Sequence, residues 1–542
     1  MNGCCASLDD RRPDTGDAFA LAVSEIAERS TKAYGLEDLQ RLDDECRALA
    51  SALGLEVPEV VFHFAPAERI YDIAARGLPG RYSHWRFGRD YEQMKMNHDH
   101  GRSRIYELVL NTEPYQAYLL EGNSWVAQLL VIAHVYGHCW FFQHNSYFAA
   151  TDRKFLHRVR AGAERIEDYA RRYGQAKVED FVDDVQALAI HAPMDLMPRR
   201  AARPPASQPV DPFADLFPHE AAAVQQKHDH EVNAWRARFP REPEPDLLGF
   251  ILAHAARLED WQRDIVSILR DEAAYFSPQR RTKIANEGFA VWVHSQIVQG
   301  LQLPTDEFVE YDRLNASVGQ PHQMSVNPYN LGYELWKEVE RIYDRPTDEE
   351  RIQFPGAGEI SGRARVLELA AVCDDVSLIA QFLTPGVAER CKLFAWEREP
   401  GERDRIRITT REAEEIRDKL VADLSRRGTP RIVVTDGDAF RKGALWLEHR
   451  HEGSGLDTEY AQGTLPAVAR LWGRSVYLET VENNAAATVT AATSKASSAA
   501  KADGSGVSSP EPALKPAWLV AHPDDELATV LTERPDSLDR RT

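Results

Sequence analysis

A long apolar stretch that carries two histidines constrains the fold of this chain more than any other feature. Residues 124–142, SWVAQLLVIAHVYGHCWFF, contain no acidic side chain, no lysine and no arginine. A stretch that is apolar on nearly every side predicts a buried helix. His134 and His138 are four residues apart, so both imidazoles lie on one face of that helix. This is the spacing by which a helix holds one metal ion.

The residue after the first histidine separates this helix from the zinc peptidase pattern H-E-x-x-H. In that pattern the glutamate activates the attacking water. Here the position is Val135, which cannot accept a proton. The sequence therefore predicts a metal-binding helix without the base of the standard peptidase mechanism. The alternative interpretation is a pair of hydrogen-bonded core histidines, since pairs four residues apart also arise by chance.

A second stretch, ANEGFAVWVH at residues 285–294, predicts further metal ligands. It resembles the helix of one large class of zinc peptidases in which an NEGFA-like glutamate is the third ligand, and Glu287 stands at that position. His294 follows seven residues later on the same helix face. Together with the histidine pair, these residues predict a three- or four-ligand centre for zinc, manganese or iron.

Acidic residues on other predicted helices offer a substitute for the missing glutamate. Glu272 is the candidate catalytic residue. Its neighbours could instead orient the imidazoles or form a second metal site. These further carboxylates are Asp260, Asp264, Asp271, Glu179, Asp183 and Asp184. The simpler interpretation of all these carboxylates is that they lie on acidic helix faces exposed to solvent.

A short motif near the end of the chain also suggests zinc. AHPDDE, residues 521–526, matches the zinc-binding motif of the N-acetylglucosamine deacetylase family, and the preceding PAWLV is predicted to be a strand. Only 16 residues follow Glu526, too few for a deacetylase domain. The sequence alone therefore favours a chance match or a remnant in a tail.

The composition excludes several classes of protein. A formal net charge of −20 disfavours a general phosphate-binding surface, so no nucleic-acid partner is expected. The six cysteines include no CxxC pair and are too sparse to staple the chain, which predicts reduced thiols. We find no secretory signal and no apolar run long enough for a membrane span. These observations predict a cytoplasmic protein.

The patterning along the chain predicts a mainly α-helical N-terminal domain with a few strands, at residues 18–365. Its segment 197–220, rich in proline and alanine, is predicted to be a loop or insert. Residues 370–482 predict a small α+β module, including a hairpin with a turn at Asp436-Gly437. Residues 483–542 are predicted to be a disordered tail, because 483–515 are rich in Ala, Thr, Ser, Gly and Pro.

The order of these motifs resembles the SpoVR family, the stage V sporulation protein R group, from about residue 20 to residue 482. The resemblance is carried by the stretches YELVLNTEPYQAYLLEGNSWVAQLLVIAHVYGHCWFFQHN, DLLGFILAHAARLEDWQRDIVSILRDEAAYF, TKIANEGFAVWVHSQI, NPYNLGYELWKEVERIYD, FLTP, RHEG and SVYLET.

The resemblance implies a cytoplasmic bacterial protein associated with spore formation, specifically with the spore cortex. In bacteria that form no spores it implies stress or stationary-phase signalling. It also implies a PrkA-type serine protein kinase and a von Willebrand-like protein as partners, and it brings no settled biochemical activity.

Three hypotheses about function follow. The first is a metal-dependent hydrolase with His134, His138 and Glu287 as ligands. The second is a non-catalytic interaction protein in which this cluster staples the core. The third is a regulatory substrate of the kinase, recognised through its acidic surface or its Ser/Thr-rich tail.

Overall fold

The structure is a computed structural model that describes residues 34–99, 107–191, 240, 242–319, 326–398, 406–426, 429–451, 455–481, 516–531 and 533–535. The predicted insert 197–220 lies outside these residues. The chain divides into two compact units. The first comprises Asn2–Gly174 and Tyr275–Gly428, and the second comprises Gln175–Ala274 and Thr429–Thr542.

Helices dominate the described residues. They are α1 Leu36–Ala52, α2 Ala67–Arg76, α3 Trp85–Asp99, α4 Trp125–His144, α5 Phe155–Tyr173, α6 Gln175–Ala189, α7 Leu247–His254, α8 Asp260–Tyr275, α9 Ser277–Arg281, α10 Lys283–Gly300, α11 Thr305–Val318, α12 Pro328–Asp344, α13 Asp348–Gln353, α14 Gly362–Ala370, α15 Asp375–Phe382, α16 Pro385–Arg390, α17 Ala413–Arg426 and α18 Thr458–Trp472. The predicted mainly helical N-terminal region with a few strands and a small C-terminal sheet module is confirmed.

The strands of the described residues form three sheets. They are β1 Val60–Ala65, β2 Glu107–Leu110, β3 Tyr115–Leu120, β4 Ala395–Arg398, β5 Ile406–Thr410, β6 Arg431–Ala439, β7 Ala444–Arg450, β8 Val476–Val481, β9 Pro516–Ala521 and β10 Thr529–Leu531. In the first unit, β3 lies between β1, which is parallel to it, and β2, which is antiparallel. Strands β4 and β5 form an antiparallel pair.

Helix α4 forms the centre of the first unit. The side chain of Ser124 begins it by accepting a hydrogen bond from the backbone N–H of Ala127 at 3.2 Å, which satisfies one of the free donors of the first turn. Residues 126–142 are all buried, as the apolar sequence predicts. Among the described residues, α4 is the one helix with the length and apolarity of a membrane span, and that stretch is wholly buried.

Glycines allow two other helices to approach this core closely. A Cβ on Gly137 of α4 would lie 2.6 Å from Ala290 Cα of α10. A Cβ on Gly288 of α10 would lie 2.1 Å from the backbone carbon of Gly332 on α12. Both separations are far below van der Waals contact, so only glycine permits these helix crossings. They bring the histidines of α4 close to the NEGFA segment of α10.

The second unit is built on a five-stranded sheet in the order β10-β9-β8-β7-β6. Strands β7 and β8 are parallel, and the other neighbours are antiparallel. Helix α18 packs against β8, β9 and α6. Arg470 of α18 donates to both carboxylate oxygens of Asp184 on α6, at 2.5 and 2.9 Å.

The turn predicted at Asp436-Gly437 is wrong. These two residues lie inside β6, whose pairing with β7 has register shifts at Asp436. The chain turns at residues 440–443, where Phe440, Arg441 and Gly443 have φ values of 59°, 56° and 72°. The Asp438 side chain accepts a hydrogen bond from Gly443 N at 2.7 Å and so closes the later turn.

Two predicted boundaries also differ from the structure. The units divide at residues 428 and 429 rather than between 365 and 370, because α14, α15 and α17 pack within the first unit. Within the predicted tail, residues 516–531 form β9 and β10, since the apolar residues 517–521 are buried against β8. The remaining tail segments, 482–515 and 536–542, lie outside the described residues.

Candidate metal centre

The crossing of α4 and α10 brings the predicted histidine pair and the predicted glutamate together. Glu287 Oε2 lies 3.4 Å from His138 Nε2 and 3.8 Å from His134 Nε2. The two imidazole rings are 4.6 Å apart between centroids and nearly perpendicular. Three of the four predicted ligands therefore converge on one point in the first unit.

A fourth donor comes from a strand that sequence analysis did not single out. Glu107, the first residue of β2, places Oε1 3.6 Å from His134 Nε2. The donor atoms of Glu107, His134 and His138 all lie within 4.8 Å of one another. The position of Glu107 depends on the pairing of β2 with β3, a non-local contact that no pattern in the sequence marks.

His294 does not join this convergent set, and its prediction as a metal ligand is wrong. Its Nδ1 lies 3.1 Å from His134 Nδ1, on the far side of that ring, and its Nε2 lies 3.0 Å from Asn315 Oδ1. Seven residues along a helix correspond to a rise of about 10 Å. Sharing a face with Glu287 therefore places His294 too far along α10 to meet the same ion.

His138 is also hydrogen-bonded on its far side. Its Nδ1 lies 3.0 Å from Asn286 Oδ1. Because an amide oxygen only accepts, Nδ1 of His138 carries the proton and donates. Its Nε2 therefore faces the carboxylates. Such contacts behind an imidazole fix its orientation and its protonation at metal sites.

The two carboxyl groups of the cluster have opposite electrostatic character. For Glu287, burial opposes the charged form, but the contacts with His134 and His138 prevail and hold its pKa below the usual range. For Glu107, burial raises the pKa to about 8, although the charge of His138 acts in the opposite direction. Glu287 is thus an ionised ligand candidate, and Glu107 can gain and lose a proton near neutral pH.

The imidazoles differ as well. Burial, reinforced by the charge of His138, lowers the pKa of His134 to about 4, so its ring is neutral at neutral pH. Burial also opposes charge on His138, but its contacts with Glu287 raise its pKa overall. In the metal-free protein His138 therefore shares a proton with Glu287, and a cation bound between them would take the place of that proton.

Tyr329, at the start of α12, completes the surroundings of the cluster. Its ring centroid lies 6.1 Å from that of His134. Burial and the negative charge of Glu287 raise the pKa of Tyr329, so its phenol stays protonated. The phenol is a candidate hydrogen-bond donor beside the carboxylates. Sequence analysis quoted its segment, NPYNLGYELW, without singling it out.

The donor chemistry fits a divalent transition metal. Two imidazoles and one or two carboxylates are ligands that zinc, manganese and iron accept. The buried Oε2 atom of Glu107 lacks a hydrogen-bond partner among the described residues, as expected for a carboxylate that faces a cation. The His134 side chain is 1% exposed, whereas those of Glu107 and Glu287 are 13% and 18% exposed.

The remaining predicted acidic residues belong to the second unit. Glu272 on α8 is buried, and its role as a catalytic base stays a prediction. Asp184 is engaged by Arg470. At the AHPDDE motif, His522 N donates to Asp525 Oδ2 at 2.7 Å, and His522 Nδ1 lies 2.8 Å from Ser475 Oγ. Among the described residues, the cluster around His134 is the one group of three or more metal-binding donors.

Comparison with known proteins agrees with the arrangement of motifs along the chain. The family described as SpoVR like protein matches residues 33–429, and the SpoVR-like C-terminal domain matches residues 430–483. The chain belongs to the SpoVR family. The junction of the two matches coincides with the division between the compact units, within one residue.

One relative is the uncharacterized protein YcgB of Escherichia coli (strain K12). It is 30% identical over 434 residues, which cover 74% of this chain and 84% of the relative. No solved structure matches the chain significantly. Through its name, the family links the chain to sporulation.

Proposed function

We propose that the first unit is a metal-dependent hydrolase whose divalent ion is held by His134, His138 and Glu287. The observation that carries this proposal is the approach of Glu287 Oε2 to both Nε2 atoms, at 3.4 and 3.8 Å. Two ligand atoms bound to one tetrahedral ion at about 2.1 Å lie about 3.4 Å apart. Two histidines and a glutamate are also the ligand set of catalytic zinc in peptidases.

Glu107 takes the role of the glutamate that Val135 replaces. A divalent ion in this position supplies Lewis-acid chemistry to an attacking water or a substrate carbonyl. Glu107 Oε1 lies 3.6 Å from His134 Nε2. From there its carboxylate takes up the proton of the attacking water and later returns it to the leaving group. The phenol of Tyr329 donates a hydrogen bond to Glu287 and so helps to orient that carboxylate.

Substitution with cobalt tests the proposal. Chelator-stripped protein should bind one Co²⁺ per chain, with the visible spectrum of nitrogen and oxygen ligands, and His138→Ala should lose that spectrum. The loaded wild type should hydrolyse members of a panel of peptide and ester substrates. Glu107→Gln should keep the spectrum and lose at least about 100-fold in rate, the range typical of a general base. Unchanged cobalt binding in His138→Ala would refute the site.

The cellular role that we propose is more general. We propose that the hydrolase acts in the cytoplasm, in sporulation or in stress and stationary-phase signalling. Partnership with a PrkA-type kinase and a von Willebrand-like protein stays a prediction, as does the alternative of a non-catalytic regulatory partner. Binding to the kinase that survives in His138→Ala would separate a regulatory surface from the metal centre.

A further inference from the structure

A chain of three side chains runs behind the metal-facing side of His134. It begins at Asn315 on α11, passes through His294 on α10 and ends at His134 on α4. Asn315 Oδ1 lies 3.0 Å from His294 Nε2, and His294 Nδ1 lies 3.1 Å from His134 Nδ1. Both distances are those of hydrogen bonds. Side chains of three helices thus meet in one hydrogen-bonded line.

His134 also makes a hydrogen bond to the backbone of Ala290. Within the line of three side chains, the donors and acceptors have one consistent assignment. The amide oxygen of Asn315 can only accept, so His294 Nε2 carries a proton and donates it. A neutral imidazole has one N–H, which leaves a lone pair on His294 Nδ1. His134 Nδ1 must then carry the proton between the two rings. The lone pair of His134 is left on Nε2, the atom that faces Glu107 and Glu287.

We propose that Asn315 sets the tautomer of His134 through His294 and thereby makes His134 Nε2 a metal ligand. This inference rests on the proposed metal centre. His294 is accordingly a positioning residue. We call this line of hydrogen bonds the relay. It explains why His294 is buried with 0% exposure and yet does not touch the convergent point.

The opposite arrangement of protons on the two rings would prevent His134 from binding a metal ion. If His294 donated from Nδ1, His134 would accept on Nδ1 and carry its proton on Nε2. That N–H would point at the carboxylates, and no lone pair would remain for an ion. A doubly protonated His294 would have the same effect. It would also leave a buried charge whose two hydrogen-bonded neighbours, His134 and Asn315, are both neutral, which is costly.

The second ligand imidazole provides a matched comparison within the same unit. His138 donates from Nδ1 directly to Asn286 Oδ1 at 3.0 Å. Both ligand imidazoles are therefore fixed by an amide oxygen, one directly and one through an inserted imidazole. Loss of Asn286 should affect His138 alone, and loss of Asn315 should affect His134 alone.

The first test uses the metal-free protein, so that it does not depend on metal binding. NMR of protein labelled with ¹⁵N at histidine distinguishes protonated from unprotonated ring nitrogens. We expect His134 to be protonated on Nδ1 in the wild type. Asn315→Leu should produce a mixture of tautomers at His134, while Asn286→Leu leaves His134 unchanged. A wild-type His134 protonated on Nε2 would overturn the relay.

The second test measures zinc affinity by competition with a chromophoric chelator. Removing such an outer partner typically costs 10–100-fold in affinity. We expect Asn315→Leu to weaken zinc binding by about 10-fold or more. His294→Gln is a second variant that interrupts the same line and should weaken binding comparably.

The outcomes separate the relay from the metal centre. If the wild type binds no ion, the proposed function fails, and the tautomer measurement still decides the relay. If the wild type binds zinc but Asn315→Leu binds it equally well with an unchanged His134 tautomer, the relay is refuted and the metal centre stands.

Discussion

The α4–α10 crossing in the first unit and the AHPDDE turn in the second unit both place histidine beside carboxylates, but they use these groups differently. At the crossing, the Nδ1 atoms of His134 and His138 are hydrogen-bonded behind the rings, and their Nε2 atoms face carboxylates that come from other elements. At the turn, Asp525 and His522 are hydrogen-bonded to the turn itself and to Ser475.

This difference shows what turns a motif into a candidate site. The ligand side chains must be held by hydrogen bonds on the side away from the metal. Their coordinating atoms must remain available where they converge. The AHPDDE turn contains suitable residue types, but its polar groups satisfy one another locally. The cluster at the crossing holds a buried carboxylate oxygen, Oε2 of Glu107, that lacks a hydrogen-bond partner among the described residues.

A substitution at the close crossing of α10 and α12 should have the largest effect, a loss of stability. In Gly288→Ala the new methyl group would meet the backbone of Gly332 at 2.1 Å, so α10 and α12 must separate. Overpacking of this kind should cost about 3 kcal/mol of unfolding free energy. Urea denaturation measures the loss. The matched control is Gly463→Ala on α18, where nothing lies within 4 Å of the added atom; alanine should stabilise that helix by up to about 1 kcal/mol.

Removing a ligand should have the next largest effect. Glu287→Gln keeps the shape of the side chain but removes the charge that contacts both imidazoles. Removing a residue that only hydrogen-bonds to a metal ligand typically lowers metal affinity about 10–100-fold. We therefore expect the loss of a ligand to lower zinc affinity by more than about 100-fold. Competition with a chelator measures the change. The equivalent variant in the second unit, Asp525→Asn, should leave zinc affinity unchanged, and a comparable loss there would contradict the comparison.

Glu107 should make the stability of the metal-free protein depend on pH. Its pKa is raised to about 8 in the folded protein, from 4.5. Between these values the folded carboxyl keeps a proton that the unfolded chain loses, so stability falls as pH rises. His138, whose pKa is also raised, acts in the same direction. The pKa of His134 is lowered to about 4, so this group makes stability rise with pH. That rise is complete above its ordinary pKa of 6.5.

Denaturation between pH 6.5 and 8 therefore measures this fall, which reaches at most about 1.4 kcal/mol per pH unit for each proton. Glu107→Gln should reduce the slope. Saturating zinc should reduce it as well, because the ion displaces the proton. An identical slope in Glu107→Gln would show that another group is responsible.

The turn in the second unit should show the smallest effect. Asp525→Ala removes one hydrogen bond, from the backbone of His522 at 2.7 Å. We expect a loss of about 1 kcal/mol in thermal or urea unfolding. The metal content of the purified protein should not change. A loss of bound metal in this variant would make the turn a second site.

Local patterns predicted the parts of the site that lie on helices. The apolar run predicted α4 within two residues of its observed end, and the spacing of four predicted the shared face of His134 and His138. The likeness of NEGFA to a peptidase ligand helix identified Glu287. The structure agrees with the predicted helix and the shared face because each depends on the geometry of one helix, and the roles of these residues as metal ligands stay predictions.

The remaining parts depend on how separate elements pack, which one sequence does not specify. Glu107 enters the cluster through the pairing of β2 with β3, and Asn315 through the position of α11. His294 was predicted as a ligand because the shared helix face was considered without the rise along the helix. The strand β9 was predicted from PAWLV, but its pairing with β8 was not, because that contact joins segments that are separate in the sequence.

The most direct test is the metal content of purified full-length protein by elemental analysis, with His138→Ala and His522→Ala measured beside the wild type. We expect about one equivalent of zinc, manganese or iron in the wild type and in His522→Ala, and none in His138→Ala. A wild type without stoichiometric metal, or equal metal in His138→Ala and the wild type, would contradict a centre at the α4–α10 crossing.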